Sequence, residues 1–194
     1  KAYDAISKAF GVGYNSPLIV VVENLEPVTD AEKAAAKAQL LEQYNQQVAT
    51  ATAAATVTYQ QRIAAATSAE EIAAIQTEIA AAQHTAAAQQ AAALAKIEAN
   101  ADAYANMVHL QEVANKIATE SNIETVTAAS ATDDGTAGIL QIIPKSAPAD
   151  QATIDLIASL RNEDNQSQWA DSDVEFTVTG STAMQIDVNA KLAA

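Results

Sequence analysis

The chain has 194 residues and a net charge of −14, with 24 acidic residues against 10 Lys and Arg. This charge argues against a nucleic-acid surface, which needs clustered Lys and Arg, and against adsorption to anionic lipid headgroups. The absence of cysteine excludes disulfides and thiolate metal sites. Apolar residues make up 49%, but many of them are alanine, so the core has to come from a few Val, Ile and Leu clusters.

The N-terminal segment predicts a helix, a loop and a strand. Residues 1–10 place Tyr3, Ile6 and Phe10 on one helical face, and Gly11 is a suitable left-handed terminator for that helix. The uninterrupted apolar run Leu18–Val22 is typical of a strand that is buried on both faces.

Two long helices are predicted next. Capping-box patterns at Thr29–Glu32 and Ser68–Glu71 mark their beginnings. The first helix is expected to run to about Ala66 and the second to stop at Asn122. At 1.5 Å per residue they would be roughly 55 Å and 75–80 Å long, so we expect them to pair as an antiparallel hairpin.

Few large apolar side chains are available to hold this hairpin together. Ile72, Ile75 and Ile79 follow a 3-4 spacing, and Leu94, Ile97 and Met107 lie further along the second helix. The alanines between these anchors would let the two helix axes approach closely. The acids along the hairpin are interpreted as a solvated helix face; they are Glu70, Glu71, Glu78, Glu98 and Asp102.

After the hairpin the pattern changes to strands. Ile123–Ser130 and Gly138–Pro144 read as two strands joined by a turn around Asp134–Gly135. An amphipathic helix follows, with Ile154, Leu156, Ile157 and Leu160 predicted to face inward. Residues 174–179 alternate as a half-buried strand, and a last helix runs from residue 181 to the end.

The predicted fold class is α+β, with a ferredoxin-like βαββαβ (split βαβ) sheet of four strands and the long α-hairpin inserted after strand 1. The usual strand order is 4-1-3-2, which makes strands 1 and 3 central. These are the two continuously apolar strands, whereas strands 2 and 4 are more polar, as edges should be.

Two segments of the chain resemble a known family. The stretch AYDAISKAFGVGYNSPLIVVVE resembles the start of the extracytoplasmic domain of MMPL-type transporters, in the resistance-nodulation-division superfamily. In that family an aromatic-Gly-x-Gly segment after the first membrane helix leads into a strand of the porter subdomain, and Phe10, Gly11 and Gly13 match it. The return segment of the family carries Gly-x-x-Ala and an Asp, matched here by Gly180, Ala183 and Asp187.

The resemblance covers residues 1–30 and 105–194 as one porter-like domain and leaves residues 31–104 as an inserted Ala-rich hairpin. It implies a non-catalytic domain between the first two membrane helices of a proton-driven exporter of amphiphiles, lipids or drugs. Gly11, Gly13 and Gly180 would then be flexible joints beside the lever helices. The family's proton-relay residues lie in membrane helices and none of them would be in this chain.

The resemblance also implies location and partners. We expect the extracytoplasmic side of a cell membrane, with the chain being a soluble piece of a longer protein. The absence of cysteine favours a Gram-positive bacterium. The expected partners are the protein's own transmembrane helices and an amphiphilic substrate, with self-association or an envelope protein at the hairpin, and no nucleic acid. The alternative is a secreted or surface-attached binding module that uses the hairpin for protein–protein contact.

No residue pattern indicates catalysis, a metal or a cofactor. His84 and His109 lack a ligand motif around them, and Ser181 lacks the second glycine of a nucleophile elbow, so it is interpreted as a helix cap. Asp134 is interpreted as a turn residue. Trp169 lies in a polar segment, where it either plugs the sheet edge or marks an interface, and the plug is favoured.

Overall fold

The computed structural model describes residues 8–9, 11–171 and 173–192 of the chain. Most of the predicted helix over residues 1–10 lies outside the described residues. The described chain is an α+β protein with a four-stranded antiparallel sheet and two long helices in a hairpin after the first strand. It divides into two compact units: residues up to Thr29 together with those from Ala105 onward, and Asp30–Tyr104.

The sheet confirms the predicted fold class. Its strands are β1 (Leu18–Glu23), β2 (Ile123–Ala131), β3 (Gly138–Pro144) and β4 (Glu175–Thr179). They are arranged in the order β2-β3-β1-β4, which is the predicted 4-1-3-2 order, and every neighbouring pair is antiparallel. The two apolar strands are therefore central, and the two more polar strands form the edges.

The prediction that β1 is buried on both faces is wrong for one face. Leu18, Val20 and Val22 are at most 1% exposed, whereas Ile19 and Val21 are only half-buried. The neighbours on this second face are mixed: Ile19 lies opposite Gln141 and Thr179, and Val21 lies opposite Ile139 and Thr177. An apolar run therefore follows from a central position in the sheet, even when only one face is fully buried.

The other regular elements of the described residues are helices, including a short 3-10 helix at Val12–Asn15. The helices are α1 (Asp30–Ala65), α2 (Ala69–Ile117), α3 (Gln151–Leu160), α4 (Glu163–Trp169) and α5 (Ser181–Leu192). With 36 and 49 residues, α1 and α2 are about 54 Å and 74 Å long, as the sequence predicts.

The beginning of α2 matches its predicted capping box, with one change. The Ser68 hydroxyl accepts the Glu71 N–H at 3.2 Å, as the pattern requires. The Glu71 carboxylate reaches back to Thr67, one residue before the cap, and accepts its N–H at 2.7 Å and its hydroxyl at 3.2 Å. The two bonds from Thr67, above all the one from its N–H, lower the pKa of Glu71.

The predicted end of α2 at Asn122 is wrong, because the helix ends five residues earlier, at Ile117. Asn122 instead adopts a left-handed conformation, with φ of 66°, in the turn that leads into β2. Its side-chain amide donates to the Ser146 hydroxyl at 2.7 Å, which ties this turn to the end of β3. Asparagine is one of the few residues that tolerate this backbone region.

Helix α4 was not predicted, since residues 163–169 are polar enough to read as a loop. The side-chain Oδ1 of Asn162 caps the helix by accepting the Asn165 N–H at 3.1 Å. Trp169 at the other end is 3% exposed and makes an edge-to-face contact with Phe176, with ring centroids 5.8 Å apart. The Trp169 side chain is therefore part of the core, in agreement with the favoured interpretation as a plug.

One face of the sheet carries the core. The C-terminal turns of α2 pack Leu110, Val113, Ala114 and Ile117 into it, and α3 adds Leu156, Ile157 and Leu160. Gly138 makes room for this packing, because a Cβ there would lie 2.4 Å from a methyl carbon of Leu110. Ile154, predicted to face inward, is only half-buried; Thr153 is buried in its place, with its hydroxyl donating to the Ala147 carbonyl at 2.8 Å.

The asymmetry of the sheet can be tested on adjacent residues of β3. Leu140 is 0% exposed and Ile139 is 39% exposed. We expect Leu140→Ala to lower the free energy of unfolding by about 2–5 kcal/mol, because it leaves a cavity in the core. The matched variant Ile139→Ala should cost less than about 1 kcal/mol. Urea unfolding followed by Trp169 fluorescence measures both, and equal losses would contradict the one-sided core.

Candidate functional site

The glycines of the N-terminal motif have different physical roles. Gly11 has φ of 106° and ψ of 157°, a backbone region that is essentially restricted to glycine. It is therefore not the left-handed helix terminator that the sequence predicted, and it precedes the 3-10 helix. A Cβ at Gly11 would meet only Tyr14, at 3.9 Å, so backbone conformation rather than space requires the glycine.

Gly13 is buried against the end of β3. A Cβ at this position would lie 1.7 Å from the carbonyl oxygen of Pro144 and 2.7 Å from its carbonyl carbon. Real Cβ atoms do not come this close to backbone, so only glycine fits. The close approach explains this glycine by packing, and its predicted role as a flexible joint stays a prediction.

Gly180 joins β4 to α5. Its φ of 112° is positive, as at Gly11, and a Cβ there would lie 3.2 Å from the Pro17 carbonyl oxygen. The Gly180 carbonyl accepts the Met184 N–H at 3.0 Å, so Gly180 occupies the cap position that the sequence assigned to Ser181. Ser181 is instead the first residue of the helix, and Ala183 is 0% exposed in the core beneath it.

The two segments that carry the family resemblance meet at the start of β1. Pro17 precedes Leu18, the first residue of the strand, and its carbonyl lies against Gly180. Gly13, four residues before Pro17, lies against Pro144, the last residue of β3, which pairs with β1. These segments are more than a hundred residues apart in the chain, so local sequence patterns do not predict that they meet.

Asp187 on α5 forms a two-pronged ion pair with Arg161 at the end of α3. The Arg161 Nη1 donates to Oδ1 of Asp187 at 2.7 Å and Nη2 donates to Oδ2 at 3.0 Å. Nη2 also donates to the Val178 carbonyl of β4 at 3.2 Å. One guanidinium therefore connects α3, β4 and α5, in the parallel geometry that makes arginine–carboxylate pairs strong.

This contact lowers the pKa of Asp187. The hydrogen bonds from Arg161 are the largest cause, and the positive charges of Arg161 and Lys191 act in the same direction against partial desolvation. Because the folded-state pKa lies below the unfolded value of about 3.9, the pair stabilises the fold above that pH. The stabilisation is lost as pH falls through the folded-state pKa.

The acids of the hairpin are not simply a solvated face, as the sequence suggested. Glu78 of α2 accepts from Arg62 of α1 at 2.6 Å, and Glu98 pairs with Lys37. Further along, Asp102 lies 3.6 Å from Lys33. All six side chains remain well exposed, so each pair adds little energy, but together they link the two helices at both ends of the hairpin.

An open groove runs between α1 and α2, with a volume of about 420 Å³. Its walls are mostly apolar; they include Ala55, Tyr59 and Ile63 from α1, and Ile79, Ala82 and Ala86 from α2. The sequence predicted that alanine would let the helix axes approach closely. Instead, Cα atoms of α1 and α2 seldom lie within 8 Å of each other, and the groove stays open.

The groove lies in a part of the hairpin without charge. Residues 43–61 of α1 and 79–95 of α2 contain no Asp, Glu, Lys or Arg. The residues in 49–58 and in 80–92 are all exposed. We call these two segments, 43–61 and 79–95, the neutral belt. The pattern of apolar anchors in the sequence does not reveal this belt. Its lack of charged residues is the sequence signal that distinguishes it.

The other candidate residues form no reactive cluster. Within the described ranges, no group of three or more His, Cys, Asp or Glu side chains could hold a metal ion. His84 is exposed and His109 is half-buried, both on α2. Asp134 accepts from the Thr132 hydroxyl at 2.7 Å and from the N–H and hydroxyl of Thr136, which lowers its pKa and closes the predicted turn.

A buried amide supports that turn from the inside. Asn106 of α2 is 4% exposed, and its Nδ2 donates to the carbonyls of Thr132 and Asp133 at 3.1 and 2.9 Å. Gly135, with φ of 73°, lies directly against it, because a Cβ there would be 2.7 Å from Oδ1 of Asn106. These bonds assign the acidic turn a structural role.

Comparisons of the chain with protein-family models, curated proteins and solved structures found no match. Across the described residues, none of the helices has an apolar stretch long enough to cross a membrane.

The ion pair can be tested through the pKa of Asp187. We expect Arg161→Gln to raise that pKa toward its ordinary value, as followed by carboxyl chemical shifts in an NMR titration. The stability lost in this variant should be largest above about pH 5 and should shrink as Asp187 becomes protonated. Arg62→Gln, which removes the partner of Glu78, is the control and should leave the pKa of Asp187 unchanged.

Gly13→Ala distinguishes packing from flexibility. An alanine at a flexible, unstrained glycine stabilises a protein by about 0.4–1 kcal/mol, because it restricts the unfolded chain. At Gly13 we expect the opposite, a loss of about 1–3 kcal/mol, since the methyl group collides with the Pro144 carbonyl. Urea unfolding gives the sign, and a gain in stability would refute the close approach.

Proposed function

We propose that the chain is a non-catalytic extracytoplasmic domain between the first two membrane helices of a proton-driven exporter. Amphiphiles, lipids or drugs are the class of cargo. The residue pattern of both end segments supports the proposal, and so does the βαββαβ order with strands 1 and 3 in the centre. The hairpin would be an addition to a porter-like body formed by the remaining residues.

The observation that carries this proposal is the Arg161–Asp187 pair. Asp187 is the acidic residue of the return segment, and its carboxylate is held at two oxygens by the end of α3. The same guanidinium binds the main chain of β4. A helix that transmits membrane motion has to be coupled to the body that it moves, and this contact supplies such a coupling. The cargo would contact apolar surface shaped by packing, which needs no reactive side chain.

A second candidate function is a binding module that contacts another protein through the hairpin. The neutral belt and its groove favour it, since an exposed apolar groove is typical of a contact surface. This function needs no membrane helices. It shares the fold with the first proposal, so the sheet does not distinguish the two.

The sequence of the parent polypeptide separates these candidates. An exporter domain requires apolar segments of roughly 20 residues directly before Lys1 and directly after Ala194. Polar flanks on both sides would rule out the exporter and leave the binding module.

The coupling is then tested in the parent protein, by efflux of the amphiphilic dye ethidium from cells and its abolition by a protonophore. We expect Asp187→Asn to reduce efflux several-fold at equal membrane abundance. Exchange of the two charges, Arg161→Asp with Asp187→Arg, should restore part of it. The control Asp173→Asn changes an exposed aspartate in the loop before β4 and should transport normally. Unchanged efflux by Asp187→Asn would contradict the coupling.

A further inference from the structure

The neutral belt is unusual for this chain. Its two segments lie in a protein of net charge −14, yet they contain no charged side chain over about 25 Å of each helix. Exposed helices are normally covered with charged residues, which keep them soluble. Here alanine, glutamine and threonine stand in those positions, and Val57 and Leu94 are 51% and 39% exposed.

The ion pairs mark the limits of this surface. Lys37–Glu98 lies beyond one end and Arg62–Glu78 lies at the other. They link the two helices where the belt stops, and between them the groove stays open. The charged residues of the hairpin therefore lie outside the neutral belt, and the surface of the belt itself has no charged side chain.

We propose that the neutral belt is a self-association surface, on which the hairpin of a second copy of this chain packs. The inference deepens the binding-module function and rests on it. Between identical chains of charge −14, most contact surfaces would oppose like charges; the belt is where two copies can meet without that repulsion.

The shape of the groove favours the same occupant. A whole helix is about 10–12 Å across, so a groove of about 420 Å³ is too small to contain one and accepts only a row of side chains. A row of small side chains is what another Ala-rich helix presents, and the belt itself is such a surface. Exposed glutamine amides both donate and accept hydrogen bonds, so they can pair with glutamine amides of the second copy across a symmetric contact.

The dimensions predict a weak contact. Two faces of about 25 by 20 Å bury on the order of 1,000 Å² in total, which is the lower limit for a specific interface. We therefore expect the 194-residue chain to associate with a dissociation constant that is roughly micromolar.

Sedimentation velocity of the whole chain over a range of concentrations tests the proposal. Association should strengthen when NaCl is raised from about 50 to about 500 mM, because salt screens the repulsion between like-charged copies. A contact built on opposite charges would weaken instead. A chain that stays monomeric at all concentrations and salt levels would overturn the inference, as would association that weakens with salt.

Neighbouring alanines of α2 provide matched variants. Both alanines are exposed, but Ala82 lines the groove and Ala81 does not. Ala82→Glu should weaken association at least about tenfold, because it buries an unpaired carboxylate, and Ala81→Glu should change it less than about threefold. Circular dichroism checks that both remain helical. Equal effects of the two substitutions would contradict the groove as the contact.

Cysteine reactivity gives a second measurement that does not depend on a destabilising charge. The chain has no cysteine, so a single one can be introduced without background. Ala82→Cys should react with excess maleimide several-fold more slowly as the chain concentration is raised, because the contact covers it, whereas the rate for Ala81→Cys should not change. Rates that are independent of concentration in both variants would refute the proposal. The sequence flanking the chain tests the exporter role separately. Failure of self-association therefore does not imply failure of the exporter proposal, and the reverse also holds.

Discussion

The central position of β1 is the constraint on which the rest of the fold depends. β1 pairs with both β3 and β4, and it contributes Leu18, Val20 and Val22 to the one fully buried face of the sheet. Both partners lie far downstream, with Leu18 opposite Ile142, so the sheet closes a loop that contains the entire hairpin. The entropy of closing a loop grows only with the logarithm of its length, about 0.6 kcal/mol for each doubling. A long insertion between β1 and β2 is therefore inexpensive, provided that it folds by itself.

Helix α2 meets that condition by changing its composition along its length. As far as Tyr104 it belongs to the hairpin unit, where alanine supplies helix propensity and little burial. From Ala105 onward it carries Leu110, Val113 and Ile117 into the sheet core, at the spacing that places them on one face. Residues 69–117 contain no Gly or Pro, so one continuous helix serves both units. Its N-terminal part relies mainly on helix propensity, with Ile75 and Ala101 as buried apolar residues, and its C-terminal part on apolar burial in the sheet core.

The sequence predicted what local pattern controls. The bounds of β3 match the prediction to the residue, because Gly138 and Pro144 mark its ends. The strand order is the usual one for the split βαβ arrangement, and the apolar character of strands 1 and 3 agrees with it. Features set by distant contacts were missed. Helix α4 depends on the burial of Trp169 against Phe176, which no local pattern reveals. The Arg161–Asp187 pair and the fit of Gly13 against Pro144 join residues that only the folded sheet brings together.

The hairpin shows that an absence can be as informative as a motif. Helix propensity explains why alanine is frequent there, but it does not explain why Glu and Lys, which are nearly as good helix formers, are missing from residues 43–61 and 79–95. Charged pairs four residues apart would have stabilised these helices and kept them soluble. The chain does use such residues at Lys37, Arg62 and Glu78, so the exclusion is local. Because neither helix formation nor solubility gains from a neutral surface, the cause has to be sought in what that surface contacts.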